Sequence, residues 1–433
     1  MQSECVALHS SPFVTSYFEV LEVFILSGNI KILRTMAEAQ ITISEVVKRE
    51  LQEAVSSGGV AKLKDLINKK NNEWKEIPLN IAITGESGVG KSSFINAIRG
   101  ITAEDDGGAH VDVVEATREI KPYKHPKNSS MVLWDLPGVG TPRFPRSSYL
   151  TQVNFEKYDF FLILSAGRFR EDDLWLAQEI QSLKKNFHFV RTQMDVEVDK
   201  DKKGHPKAHS KSQVIEKVRI NCLKNLKEHG LTKASVFLID NYSPMDFDFD
   251  ALTRTLIDEA PGHKREAMIL SMSVLTEGVI EMKVEALKER IFKVSLLSAV
   301  GGAIPIPGVG AALDMALLAG EVAFYKNQLG LDAETIEEHA RYLNTESREL
   351  QKKLGLQSFG LATTAKGIAQ SVSSIAASEA LESTLPLAIP VIGSIVSAGI
   401  SYGVSVASLR YFLGILSEDA RKINAELLKK SLQ

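Results

Sequence analysis

Leu79-Asn80-Ile81-Ala82-Ile83-Thr84-Gly85-Glu86-Ser87-Gly88-Val89-Gly90-Lys91-Ser92-Ser93-Phe94-Ile95-Asn96-Ala97-Ile98 is the stretch that decides the fold. A short apolar run leads into glycines, and the glycines lead into a helix-like run. The centre, Gly85 to Ser92, matches G-x-x-x-x-G-K-[ST], and a strand before it with a helix after it is the context that this P-loop motif requires. The glycines let the backbone curl so that its N–H groups face phosphate oxygens at a helix N-terminus. On this reading Gly85, Glu86, Ser87, Gly88, Val89, Gly90, Lys91, Ser92 and Ser93 form a phosphate cradle. Lys91 reaches the β- and γ-phosphates, and Ser92 places its hydroxyl on Mg²⁺. Glu86 is an unusual acid for such a place; it faces solvent, or pairs with a ribose or a partner subunit.

Further apolar runs follow at Met131–Trp134, Phe160–Leu164, Phe187–Val190 and Val236–Ile239, with helical stretches such as Leu174–Lys184 and Ser212–His229 between them. Strands alternating with helices predict a doubly wound, mostly parallel α/β sheet covered on both faces. The flanks differ. Residues 13–76 carry helical spacing (Phe18, Leu21, Phe24, Ile25; Ile43, Val46, Val47, Leu51, Val55), and so do 264–300, 311–329, 333–353 and 404–430. The expected organisation is an N-terminal helical region (1–76), an α/β domain (77–262) and a C-terminal helical domain (263–433), with boundaries near Pro78 and Pro261-Gly262.

Composition removes several classes. Of 433 residues, 44% are hydrophobic and 24% charged, which excludes a disordered or collagen-like chain. Lys plus Arg number 51 against 54 Asp plus Glu, so no basic excess points to nucleic acid. Two cysteines, Cys5 and Cys222, exclude a disulfide scaffold and make a reducing compartment the default. The N-terminus lacks the basic and apolar regions of a secretory signal, and Gln2 excludes N-myristoylation. Cys5 is a free cysteine or, alternatively, a palmitoylation site.

Three later segments complete a nucleotide site. Asp135-Leu136-Pro137-Gly138 follows the Met131–Trp134 strand. In a doubly wound fold its acid faces the same crevice as the P-loop. Asp135 would hold Mg²⁺ through water, and the Gly138 N–H would sense the γ-phosphate. Thr192-Gln193-Met194-Asp195 follows the next strand but one. Asp195 can accept both N1–H and N2–H₂ of guanine, whereas adenine leaves that carboxylate unpaired, so GTP is favoured over ATP. The usual Lys of [NT]-K-x-D is here Gln193, and the aliphatic stem that would lie over the base is shortened. A fourth loop, Asp240-Asn241-Tyr242-Ser243, places Asn241 against the guanine ring.

The chain resembles the immunity-related GTPases, the interferon-inducible members of the dynamin superfamily. The resemblance rests on Gly85 to Gly100, Pro122-Tyr123-Lys124-His125-Pro126, Leu133 to Gly138, Lys157-Tyr158-Asp159-Phe160-Phe161, Phe189-Val190-Arg191-Thr192 and Ile304-Pro305-Ile306-Pro307-Gly308. It runs from about residue 30 to about residue 425, and extends to the germ-cell-expressed branch. It implies a P-loop GTPase domain between helical segments and a Mg²⁺ cofactor. It also implies GTP-dependent self-association, accelerated hydrolysis in the oligomer, and peripheral action on intracellular membranes from the cytoplasm in cell-autonomous defence. Lys91 groups the chain with the members that carry Lys in the P-loop.

Hydrolysis needs a positioned water and stabilisation of charge at the γ-phosphate. The position after Gly138, where many small GTPases carry Gln, is Val139, so slow intrinsic turnover is expected. The switch-like segment Val113–Glu119 supplies the candidates: Thr117, for Mg²⁺ and the γ-phosphate, and Glu115, which matches the acidic switch residue of the resembling family. A scaffold with little turnover, an ATPase and an integral membrane protein are the rival readings. The last arises because Val294–Leu313 and Ser383–Leu409 are uncharged and long enough to span a bilayer. Pro305, Pro307, Pro386 and Pro390 interrupt them, and a buried pair of helices packed through small residues is the preferred reading. Asp199–Lys207 reads as a solvated charged loop.

Overall fold

A computed structural model of the chain describes residues 71–111, 119–244, 246–273, 276–302, 309–361, 366–371 and 398–431, with a few single residues besides. Glu115 and Thr117 lie outside the described residues, as does most of the N-terminal region and most of Ser383–Leu409.

Six strands form one sheet: β1 (Leu79–Gly85), β2 (Lys121–His125), β3 (Asn128–Asp135), β4 (Phe160–Ser165), β5 (Asn186–Arg191) and β6 (Val236–Leu238), in the order β2-β3-β1-β4-β5-β6. All neighbours are parallel except β2, which pairs antiparallel with β3. The helices of this α/β region are α1 (Lys91–Arg99), α2 (Arg146–Gln152), α3 (Glu171–Ser182), α4 (Met194–Gly204), α5 (Lys211–Glu228), α6 (Phe249–Asp258) and α7 (Gly262–Ser271). Later come α8 (Glu277–Gly302), α9 (Val309–Gln328), α10 (Ala333–Tyr342), α11 (Ser347–Leu354) and α12 (Ala398–Ser431).

Over their described residues these elements form two compact units. One comprises Glu73–Ala286, His339–Thr345 and Ala420–Gln433, and the other Met1–Asn72, Leu287–Glu338 and Glu346–Asp419. The first is built on the sheet. β4 is buried along its whole length and β1 at all positions but Asn80, as a central parallel strand covered on both faces must be. Phe161 of β4 stacks on Phe155 at 4.7 Å between ring centroids and meets Tyr158 edge-on at 5.4 Å. In the second unit Arg290 and Glu321, both buried, pair through two hydrogen bonds of 2.8 and 2.7 Å. Arg290 also donates to the Asn71 carbonyl and lies over the Phe324 ring at 4.2 Å.

Two local features differ from the sequence expectation. β2 was not among the expected strands: its first four residues are exposed or half-buried, and Pro122 gives it the character of an edge. Most of Asp199–Lys207 is helical, because α4 continues to Gly204. Side-chain pairs one turn apart support that turn: Glu197 forms an ion pair with Lys200 at 3.2 Å, and an Asp201 carboxylate oxygen lies 3.2 Å from His205 Nδ1. Among the described residues no helix is long and apolar enough to cross a membrane.

Phe161→Ala leaves a cavity against Phe155 and Tyr158. It is expected to destabilise the sheet-containing unit by about 3–5 kcal/mol, read as a lower urea midpoint at unchanged m-value.

Candidate nucleotide site

The carboxyl ends of the parallel strands meet at one edge of the sheet, where ligands of doubly wound folds bind. β1 ends at Gly85, whose φ is +141°. A Cβ there would lie 2.3 Å from the Leu164 carbonyl oxygen, so only glycine fits. The loop closes at Gly90 (φ +86°), which caps α1; a Cβ there would meet the Asn241 amide at 2.9 Å. The free N–H groups and the dipole of α1 then make an anion seat.

Lys91 is the first residue of α1 and is only 6% exposed. Its ammonium donates to the carbonyls of Gly85 at 3.0 Å and Glu86 at 2.8 Å. Burial lowers its pKa from the ordinary value, while the carboxylates of Asp135, Glu86 and Asp173 oppose that shift. Asp135 ends β3 in register with Ile83, two residues before Gly85, and is buried.

Three side chains hold the P-loop from behind. Thr192, fully buried, donates its hydroxyl to the Val89 carbonyl at 2.7 Å. Gln193, in the left-handed region at φ 57°, donates its amide to the Gly88 carbonyl at 2.9 Å. Asn241 donates to the Gly90 carbonyl at 3.0 Å. Gln193 thus ties the loop after β5 to the P-loop. Asp195 is exposed in the first turn of α4. Burial raises the pKa of Asp240, and the Asp195 charge acts in the same direction. Tyr242 is 76% exposed, and its hydroxyl lies 3.2 Å from the Ser93 hydroxyl.

The donors that would hold Mg²⁺ are oxygens. Among the described residues no group of three or more His, Cys, Asp or Glu forms a metal cage. Mg²⁺ commonly takes one or two protein oxygens and completes its shell with phosphates and waters. The Ser92 hydroxyl at the start of α1 and the Asp135 carboxylate at the end of β3 fit that requirement. Val139 is 8% exposed and belongs to the hydrophobic core, so its side chain is spent on packing.

The loop between β4 and α3 was missed from sequence. Arg170 forms an ion pair with Glu86, which gives the P-loop acid an intramolecular partner. Asp173, two residues into α3, is 6% exposed and accepts the Arg170 N–H at 3.1 Å. Burial, helped by Glu86 and Asp172 and opposed by that hydrogen bond, pushes its pKa up to about 6. Asp172 accepts from Arg146 at 2.6 Å. The only signal was the charged run Arg170-Glu171-Asp172-Asp173, with four residues between it and the end of an apolar strand.

The family model for interferon-inducible GTPases (IIGP) matches residues 44–426. The chain belongs to the interferon-inducible GTPase family. Relatives include interferon-gamma-inducible GTPase 10 of Mus musculus, 33% identical over 393 residues, which are 90% of this chain and 91% of that one. Interferon-inducible GTPase 5 of Rattus norvegicus is 32% identical over 393 residues, 91% and 85% of the two chains. Interferon-inducible GTPase 1 of Mus musculus is 36% identical over 299 residues, 69% and 72% of the two. Among solved structures, Era bound to a magnesium nucleotide and a 16S ribosomal RNA fragment aligns with 50% of this chain and 66% of its own, at a TM-score of 0.30 and 17% identity. As a member of the family, the protein is a GTPase with the mostly parallel α/β domain described above.

Two outcomes follow from the geometry. Gln193→Ala frees the Gly88 carbonyl and is expected to weaken guanine-nucleotide binding by about three- to tenfold in calorimetric titration, with the fold unchanged. The folded state holds the Asp173 proton more tightly than the unfolded chain does. The stability from this group is therefore present below pH about 4 and is lost as pH rises through about 6. Urea midpoints measured across that window should show the decline in the wild type and a flatter profile in Asp173→Asn.

Proposed function

We infer that this GTPase binds GTP with Mg²⁺, associates with itself in the GTP state, hydrolyses GTP slowly unless assembled, and acts peripherally at intracellular membranes in cell-autonomous defence. The observation that carries the nucleotide reading is Lys91: a buried ammonium at the N-terminus of α1, resting on two loop carbonyls and surrounded by carboxylates. Such a charge is positioned to exchange carbonyl partners for phosphate oxygens.

The proposed roles divide as follows. Gly85 to Ser93 cradle the phosphates. Ser92 and Asp135 hold Mg²⁺, with Thr117 joining them, and Gly138 donates its N–H to the γ-phosphate. Bound Mg²⁺ supplies neutralisation of charge on the β- and γ-phosphates. Thr192, Gln193 and Asn241 brace the loop against the base side, and Asp195 reads the N1–H and N2–H₂ edge of guanine. These residues lie within a GTPase domain of residues 77–262, flanked by helical regions over 1–76 and 263–433.

Self-association follows from what the D-x-x-G segment lacks. Val139 is buried and apolar, so orientation of the attacking water falls to another element or another subunit, with Glu115 the acid proposed for it. The same observation favours a second reading, a nucleotide-dependent scaffold with little turnover. The absence of a long apolar helix among the described residues is compatible with peripheral membrane contact.

GTP turnover per molecule, measured across a wide range of protein concentration with ATP as the control substrate, separates the two. Specific activity that rises with concentration, together with no ATP turnover, is expected. A slow rate that stays flat with concentration despite GTP binding would establish the scaffold.

A further inference from the structure

β1 is aliphatic except near its ends. Leu79, Ile81, Ala82 and Ile83 are fully buried, and Thr84 then brings a hydroxyl into the same core at 1% exposure. A buried hydroxyl is costly without a partner. The partner is Tyr149 of α2, itself fully buried, with the two hydroxyl oxygens 3.1 Å apart. The Tyr149 hydroxyl donates to the Pro137 carbonyl at 2.8 Å, and the Thr84 hydroxyl lies 3.5 Å from that same oxygen. Two hydroxyls therefore converge on one carbonyl. Burial holds the Tyr149 phenol above its ordinary pKa, so it remains a proton donor throughout the physiological range.

The Pro137 carbonyl and the Gly138 N–H belong to one peptide unit. In a trans peptide they point in opposite directions across a rigid plane. Anchoring the oxygen in the core turns the N–H away from Tyr149 and fixes its direction. Gly138 lies against the P-loop, since a Cβ on it would sit 3.2 Å from the Gly85 carbonyl oxygen.

We propose that the Tyr149–Thr84 hydroxyl pair sets the orientation of the Pro137–Gly138 peptide, and through it the ability of the site to distinguish a nucleoside triphosphate from a diphosphate. Tyr149 is a positioning residue: it touches no nucleotide atom and acts through the Gly138 N–H. The inference rests on the reading of Gly138 as the γ-phosphate sensor. A diphosphate offers that N–H no γ-oxygen, so loosening the peptide weakens only triphosphate binding.

The test titrates the full chain with GDP and with a β,γ-imido analogue of GTP, for the wild type, Tyr149→Phe, Thr84→Val and Thr84→Ser, and measures kcat for GTP in each. Tyr149→Phe is expected to weaken the analogue by about tenfold and lower kcat to a similar extent, with GDP affinity unchanged. Thr84→Val should move the same way by a smaller factor, and Thr84→Ser, which keeps the hydroxyl, should behave as wild type. Equal weakening of both nucleotides, or an unchanged ratio of their affinities, overturns the inference while the GTP reading stands. If Tyr149→Phe does not fold, the Thr84 pair decides, and identical analogue-to-GDP ratios in Thr84→Val and Thr84→Ser overturn the inference. Wild-type protein that binds neither guanine nucleotide overturns the reading of the site and the inference with it.

Discussion

An irregular loop that leaves a sheet carries carbonyls with no partner in any ladder, and those carbonyls must be bonded elsewhere. Here the successive carbonyls of Gly88 and Val89 are taken by Gln193 and Thr192, and that of Gly90, which already accepts the Phe94 N–H as the first bond of α1, also accepts from Asn241; the three side chains come from the ends of two other strands. The rest of the site depends on this arrangement. It ties the loops after β5 and β6 to the P-loop at the N-terminus of α1. A change in either loop is felt by the other.

The electrostatics follow from the same edge of the sheet. Parallel strands deliver Asp135, the P-loop and the β4–α3 loop to one crevice, so that carboxylates gather around a single buried lysine. Lys91 loses solvation there and gains three acidic neighbours, Asp135, Glu86 and Asp173. The acids do not share one fate. Glu86 is held by Arg170, while Asp173, more deeply buried, is driven toward its protonated form. Positive and negative groups are thus already distributed around the P-loop.

The α/β core could be read almost completely from residue order, because strands buried on both faces have to be apolar runs. β1, β4, β5 and β6 were visible that way, and β3 was visible through its Met131–Trp134 run, although Val132 and Trp134 are only half-buried. β2 was not, because an edge strand needs no apolar run and its proline masked it. The same reasoning explains α4: a charged segment looks like a loop unless its one-turn side-chain pairs are counted. Thr84, Tyr149, Arg170 and Asp173 carried no recognisable motif. Each matters through a partner distant in sequence, such as the Pro137 carbonyl for Tyr149.

Sequence alone determined the GTPase class, through the G-x-x-x-x-G-K-[ST] loop and D-x-x-G, and the family, through Pro122–Pro126 and Lys157–Phe161. Those signals are local, because a phosphate cradle needs glycines and a lysine at fixed spacing along one turn of chain. Only the tertiary structure decided what braces the loop, which acids surround Lys91, and which hydroxyls hold the Pro137–Gly138 peptide. Those contacts join residues far apart in the chain, and a hydrogen bond between distant strands depends on how the sheet brings their ends together.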